Sequence, residues 1–315
     1  MTKSSDLSPS VLFGDLPLLK LRFLVQVPRY AELPKYTGSA WLGIISLEMQ
    51  RLVCPFDLRP VCKTCTVKEH CSYFLLIEKQ TPLPGFSEAP RGYIFYSPVP
   101  KDNSIRELFV TLIGSYSKFL SVVVKAVLKG RSSGIGKERY PYEVVTCEEL
   151  LPDGSSFEIS PETNMFTEGP QPLREWLTGQ PELAEEVSIR LVTPVRLRRH
   201  GKYLDIMDWA FYFGTLARRM EALNRIFHDG ELLGKDIWLS LQEYFQTAEK
   251  IRSYLRWLDI AKYSGRQNQK PTLGGLVGKA ILKKPSSTDM EWWKTAELLH
   301  VGKGAAMGLG KIEIV

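Results

Sequence analysis

Residues 298–315 read LLHVGKGAAMGLGKIEIV and join three elements in a short span. An apolar helical run ends at Leu299, four glycines follow (Gly302, Gly304, Gly308, Gly310), and Lys311 to Val315 alternate like a terminal strand. Glycine reaches positive φ and lets backbones approach closely, which leaves amide groups able to meet phosphate oxygens. Lys303 and Lys311 would add charge to such a cradle. The pattern G-x-G-x-x-x-G-x-G is neither a P-loop nor a dinucleotide fingerprint, and no strand leads into it as the latter requires. The alternative reading is a tight structural turn before an edge strand.

Working outward, the same half carries a strand pattern at 187–198 and an amphipathic helix at 207–227. A second helix at 235–250, extended segments at 251–259 and 273–282, and a helix at 289–299 follow. The other half opens with LLKLRFLVQV at 18–27, suited to a strand. Residues 39–51 place Trp41, Ile44, Ile45 and Met49 at helical spacing behind Ser39 as N-cap. Strands at 92–97 and 106–113, a helix at 115–129, and a hairpin of 142–150 with 156–159 around Pro152-Asp153-Gly154 complete it. Each half reads β, α, β, β, α, β with additions. That order fits a ferredoxin-like α+β unit, an antiparallel sheet with helices on one face. The expected architecture is two such RRM-like units in tandem: residues 11–160 with a cysteine-rich insert at 54–71, a linker rich in Pro, Gly and acids at 161–186, and residues 187–315.

The length of 315 residues suits two domains, and 44% hydrophobic with 24% charged residues excludes a disordered or fibrous chain. No apolar run approaches the 18 or so residues of a membrane span, and the polar first ten residues show no signal peptide, so a cytoplasmic protein is expected. The net charge of +6 is unevenly spread. Residues 250–284 hold nine basic residues against Asp259 alone, and Arg190, Arg196, Arg198, Arg199 and Lys202 form a second cluster without an acid. Both suggest a positive face for a polyanion, with an ordinary solvated surface as the alternative.

Four of the five cysteines, Cys54, Cys62, Cys65 and Cys71, follow C-x7-C-x2-C-x5-C. A cytoplasmic chain has little use for disulfides, so the spacing predicts a metal site that pins the insert. Tetrahedral zinc suits four thiolates; an iron–sulfur cluster would use the same ligands, and His70 could replace one thiolate. Cys147 lies in a strand pattern and reads as an ordinary buried cysteine.

Taken together, residues 192–202 (VTPVRLRRHGK), 257–278 (WLDIAKYSGRQNQKPTLGGLVG) and 300–312 (HVGKGAAMGLGKI) resemble the repeat-processing endoribonucleases of CRISPR systems, within the RAMP superfamily. Residues 62–73 (CKTCTVKEHCSY) are similar to the cysteine insert of part of that family. The resemblance implies a paired ferredoxin-like fold that binds the repeat of precursor CRISPR RNA and cuts it once per repeat. It also implies a cut without metal or other cofactor: the ribose 2′-hydroxyl attacks the adjacent phosphate, leaving a 2′,3′-cyclic phosphate and a 5′-hydroxyl. Subunits of a CRISPR effector complex are further implied partners; a membrane is not.

Such chemistry needs a base, a donor for the leaving oxygen and a cation for the charge on phosphorus. Many relatives place a catalytic histidine near the first helix, yet residues 30–49 contain none. His300, at the lip of the glycine loop with Lys303 three residues on, is the first substitute. Tyr36, with Lys35 and Arg29 before the first helix, is the second. Arg196, Arg198, Arg199, His200, Lys262, Arg266, Lys270, Lys283 and Lys284 are candidate RNA contacts beside Gly302, Gly304, Gly308 and Gly310, and Tyr263 could stack on a base. The rival reading is a non-catalytic RAMP subunit that holds CRISPR RNA in an interference complex. A third is an unrelated RNA-binding protein with a metal-stabilised insert.

Overall fold

Alternation sets the first long strand. In Pro17–Gln26, Leu19, Leu21, Phe23 and Val25 are buried while Lys20, Arg22 and Leu24 on the other face are not. A computed structural model describes the chain except residues 1–3, 57–60, 85, 87, 101–103, 161–166, 180–183, 248–250 and 261–272. The described elements run α1 (Pro9–Phe13), β1 (Pro17–Gln26), α2 (Gly38–Val53), β2 (Tyr93–Tyr96), β3 (Ile105–Ile113), α3 (Leu120–Ser133), β4 (Glu143–Leu150), β5 (Ser156–Glu158), β6 (Gln171–Pro172) and α4 (Leu173–Trp176). They continue as β7 (Glu186–Val195), β8 (Arg198–Arg199), β9 (Lys202–Tyr203), α5 (Trp209–Phe227), α6 (Lys235–Gln246), β10 (Ile251–Leu258), β11 (Gly275–Lys283), α7 (Ser287–Leu299) and β12 (Ile312–Ile314). None of the described helices is long and apolar enough to cross a membrane.

The chain divides into two compact units. The N-terminal unit comprises Pro17–Gln171 and Ile226–His228; the C-terminal unit comprises Met1–Leu16, Pro172–Arg225 and Asp229–Val315. The division falls between Leu16 and Pro17 and between Gln171 and Pro172. The reason is visible in the backbone. Leu173 N–H donates to the Leu16 carbonyl and Arg174 N–H to the Gly14 carbonyl, both at 2.9 Å, while the Trp292 indole donates to Leu7 at 3.1 Å.

In the N-terminal unit the strands lie in the order β2-β3-β1-β4-β5, with antiparallel pairing. The first four strands have the ferredoxin-like order that βαββαβ dictates. α2 buries Trp41, Ile45 and Met49, and α3 buries Val123, Val124 and Val127. The Tyr142 hydroxyl donates to the Val127 carbonyl at 2.5 Å, and its ring meets Trp41 edge-on at 5.1 Å. Each such apolar side chain contributes about 1.5–3 kcal/mol by leaving water. Two boundaries differ from expectation. α2 is preceded by Thr37, not Ser39, with no side-chain cap bond, and α3 begins only after a 3-10 turn at Gly114–Phe119.

The C-terminal unit repeats the plan in the order β10-β11-β7-β12, again antiparallel. Trp292 and Trp293, each 1% exposed, pack in its core, where Trp293 meets Trp209 at 5.2 Å and Phe213 at 4.9 Å. Ser286 and Asp289 form a reciprocal capping box that starts α7. The expected tandem ferredoxin-like fold is thus present.

Candidate functional site

The glycine loop leaves α7 at His300 and re-enters the sheet at β12. Gly302, Gly304, Gly308 and Gly310 all have positive φ, from +74° to +96°. A β-carbon on Gly310 would lie 2.0 Å from the Val301 carbonyl oxygen, and one on Gly302 would lie 2.6 Å from that of Arg196. Only glycine fits such close backbone approach. The loop is then stitched to itself and to β7. Lys303 N–H donates to the Arg196 carbonyl at 2.9 Å and Gly310 N–H to Pro194 at 3.0 Å. Thr193 Oγ1 donates to the Gly308 carbonyl at 2.8 Å and accepts from Lys311 N–H at 2.9 Å. The N–H groups of Val301, Met307, Gly308 and Leu309 also bond within the loop. The N–H groups at these positions meet the protein's own oxygens.

His300 departs from its expected place at the lip. It is 3% exposed, has φ of +56°, and its Nδ1 stands 3.2 Å from the Leu309 carbonyl oxygen. The imidazole fastens the end of α7 to the far side of the loop. Lys303 is half-buried. The Lys311 ammonium turns away from the loop and donates to the Glu297 carbonyl at 2.8 Å; burial holds its pKa below the usual lysine range, with Glu297 opposing. Arg219 reaches in from α5, where its Nε donates to the Leu299 carbonyl at 3.1 Å, and burial lowers its pKa to about 10.

The basic run after β7 divides in two. Arg196 is 8% exposed and lies against Tyr203, 4.6 Å from the ring centroid. Arg198, Arg199, His200 and Lys202 form the exposed β8–β9 hairpin, whose turn needs positive φ at His200 and Gly201. Arg199 is held over Phe211 at 4.2 Å and by Asp208 at 2.7 Å. Burial opposes ionisation of Asp208, but bonds from Phe211 N–H and Arg199 outweigh it and keep the carboxyl below its usual range. Lys283 and Lys284 are not part of this cluster; they pair with Glu186 at 3.3 Å and Glu185 at 3.6 Å. Lys262, Tyr263, Arg266 and Lys270 lie outside the described residues.

In the N-terminal unit, Tyr36 is half-buried at the entrance to α2, with the Lys35 ammonium 5.6 Å from its ring centroid. The loop before α2 touches the turn after α3: a β-carbon on Gly136 would lie 2.7 Å from Leu33. This contact brings together Tyr30 and Tyr140, which sequence reasoning missed, beside Arg29, which it named. Tyr30, 74% exposed, meets Tyr140 edge-on at 6.0 Å; Arg29 and Arg139, their neighbours in sequence, are exposed, and exposed Lys137 pairs with Glu138 at 3.4 Å. Arg139 has φ of +53°, at the tip of a turn closed by reciprocal bonds between Ile135 and Tyr140 at 2.8 and 2.9 Å. The available signal was a repeated basic-tyrosine dipeptide: Arg29-Tyr30, Lys35-Tyr36 and Arg139-Tyr140.

Cys54, Cys62, Cys65 and Cys71 are all half-buried free thiols lining one pocket with Gln50 and Phe74, whereas His70 is exposed and does not line it. Cys65 N–H donates to the Cys62 carbonyl at 3.3 Å, the tight turn a C-x-x-C pair needs to present both sulfurs together. Burial, then Glu78, push the Cys62 thiol up, and Cys71 and Cys54 act in the same direction; the Gln50 amide, 3.8 Å from its sulfur, opposes them. Among the described residues, no group of three or more His, Cys, Asp or Glu is drawn together as a metal ion would hold it. The four thiols share one pocket and are donors of the type a thiophilic ion takes, but they are not positioned to hold one. Cys147 is buried, as expected, and burial pushes its thiol up to about 12.

Residues 189–312 match the profile of the CRISPR-associated endoribonuclease Cas6, and residues 16–174 match an N-terminal domain profile designated AF_1859. An uncharacterized protein of Archaeoglobus fulgidus is 20% identical over 305 residues, which cover 95% of this chain and 98% of that one. Among solved structures, a Cas6 product complex superposes with a TM-score of 0.55 at 16% identity, over 95% of this chain and 99% of the other. Thermus thermophilus Cas6 gives 0.53 at 15% identity over the same shares. A partial Cas6-RT-Cas1–Cas2 complex gives 0.53 at 12%, over 98% of this chain and 47% of that one.

Proposed function

The chain belongs to the Cas6 family of CRISPR-associated endoribonucleases, and from that premise we propose that it binds the repeat of precursor CRISPR RNA and cuts it by internal transesterification. The ribose 2′-oxygen forms a bond to the adjacent phosphorus, and the bond from phosphorus to the 5′-oxygen breaks. The products are a 2′,3′-cyclic phosphate and a 5′-hydroxyl. The nucleophile is already attached beside its target, so the protein's task is alignment, charge stabilisation and proton transfer rather than delivery of water by a metal.

The observation that carries the assignment of residues is the gathering of basic-tyrosine dipeptides on two adjoining loops of the N-terminal unit. We assign Tyr36 as the proton donor to the leaving 5′-oxygen. Lys35 and Arg29 stabilise the charge building on phosphorus, and Tyr30 stacks on a neighbouring base. A phenol is a better donor than base near neutrality, so the 2′-hydroxyl loses its proton to solvent hydroxide. His300, enclosed by the glycine loop, then serves to shape that loop, and Lys303 and the β8–β9 hairpin contact RNA, with buried Arg196 packed against Tyr203 of that hairpin. The four cysteines are proposed to bind one zinc ion that pins the insert and takes no part in the cut. Metal content near one zinc per chain, with sulfur-only ligation by X-ray absorption, is the expected result for that site.

The test of the reaction is incubation of end-labelled repeat RNA in EDTA, beside a substrate with a 2′-deoxy residue at the cut. One cut per repeat, a cyclic phosphate and no cut of the deoxy substrate are expected. The rate should climb with pH through neutrality without the plateau a histidine base imposes. Tight binding with no cut of a cognate repeat would make the protein a carrier of CRISPR RNA instead.

A further inference from the structure

Strand β10 ends the C-terminal sheet on one side. It pairs with β11 over all eight of its residues, and among the described strands none pairs with its other edge. Half of its backbone N–H and C=O groups therefore point outward along an open edge. The two faces of the strand differ. On one, Ser253 Oγ accepts the Trp209 indole N–H of α5 at 2.8 Å, and Ile251, Leu255 and Trp257 share that helix-facing side. These three are only half-buried, whereas Leu276, Ala280 and Leu282, their cross-strand neighbours on β11, are buried. The open face carries Arg252, Tyr254 and Arg256, with Lys279 of β11 opposite Tyr254 and Arg190 of β7 beyond it. Arg190 is paired with Glu313. Arg252, Arg256 and Lys279 are exposed and have no acidic partner among the described residues.

An unfinished ladder, a half-covered apolar row and a row of unneutralised cations are all completed by one object, a fifth strand. Its backbone would fill the ladder, its apolar side chains would cover Leu255 and Trp257, and its acids would neutralise Arg252 and Arg256. A second copy of this chain does not meet that need. Two-fold pairing of β10 with itself is antiparallel, and about Tyr254 it sets each Arg252 opposite an Arg256. A nucleic acid does not meet it either, because it has no row of N–H and C=O groups at the strand spacing. We propose that the free edge of β10 captures an extended acidic segment of a partner protein by strand addition, with Asp or Glu alternating with apolar residues. The inference is independent of the RNA chemistry assigned above and gives the C-terminal unit a protein-docking edge.

The test uses the full chain and a capped, fluorescently labelled peptide of eight residues, glutamate alternating with valine, matched to the length of β10. Anisotropy should show saturable binding with Kd below about 1 mM. A peptide of the same composition in scrambled order, and the alternating one N-methylated throughout, should bind at least about 10-fold more weakly. Arg252→Glu/Arg256→Glu should weaken the glutamate peptide about 10-fold, admit its lysine counterpart, and leave the thermal midpoint unchanged. Equal binding of the scrambled or methylated peptide would overturn strand addition, since charge alone would then hold the peptide. Absence of saturable binding of the alternating peptide to the parent protein would overturn it too. Repeat RNA blocked at its 2′-hydroxyls by methylation separates the rival use of these cations. RNA affinity lost in the double variant, with no peptide bound by the parent, would overturn the docking edge and leave the RNA-processing reading standing.

Discussion

Two basic regions of the C-terminal unit use their polar groups in opposite ways. In the glycine loop, the N–H groups of Val301, Lys303 and Gly310 meet protein carbonyls, Lys311 turns back to Glu297, and the His300 ring meets Leu309. On the open sheet face, Arg252, Tyr254, Arg256 and Lys279 extend into solvent. The loop is built from backbone geometry and holds α7, β7 and β12 in place. The face is built from side-chain alternation and leaves its chemistry exposed. A glycine-rich segment with lysines therefore need not be where a ligand sits; its four positive-φ positions can be a structural requirement in their own right.

The largest expected difference between the regions is in stability. Gly310→Ala forces a β-carbon against the Val301 carbonyl at positive φ and should cost about 3 kcal/mol or more, read as a lowered denaturation midpoint. Arg256→Ala should stay within about 0.5 kcal/mol of the parent protein in the same experiment. Equal effects would erase the distinction.

A second contrast is chemical. Tyr36→Phe should slow single-turnover cleavage by about 100-fold with unchanged RNA affinity and midpoint. Arg198→Met, on the exposed hairpin, should leave the single-turnover rate at saturating protein intact while weakening binding.

The smallest effect is a pH dependence. Burial lowers the folded pKa of Lys311. Between that value and the unfolded one near about 10.4, the unfolded chain holds more protons. In that window Lys311 makes stability rise with pH, and its cost is fully present below the folded pKa. Relative to Lys311→Met, the parent protein should therefore gain stability as pH rises through the alkaline window, while exposed Lys279→Met should track the parent. A parallel response in both variants would place Lys311 in solvent.

Much of the fold was legible because local periodicity carries it. The period-two pattern of Leu19, Leu21, Phe23 and Val25 and the helical spacing of Trp41, Ile45 and Met49 survive folding unchanged. α1 spans only five residues, too few for periodicity to mark. The glycine positions announced positive φ, but the direction of their amides depended on Thr193, Pro194 and Arg196, about a hundred residues earlier. The tyrosine cluster was hidden for the same reason: Tyr30 and Tyr140 meet only because two distant loops touch. The cysteine spacing was plain, whereas the pocket the four thiols share needed the turns at Cys62–Thr64 and Lys68–His70.

The most direct test of a structural loop and of the role proposed for the half-buried Tyr36 is a paired one. Single-turnover cleavage of repeat RNA would be measured for Tyr36→Phe and His300→Ala, at saturating protein and a temperature where both are folded. Expected are a rate loss of about 100-fold for Tyr36→Phe with a parental midpoint, and a lowered midpoint for His300→Ala with a rate within about 10-fold of the parent. A fully folded His300→Ala that no longer cuts, beside an active Tyr36→Phe, would contradict both roles.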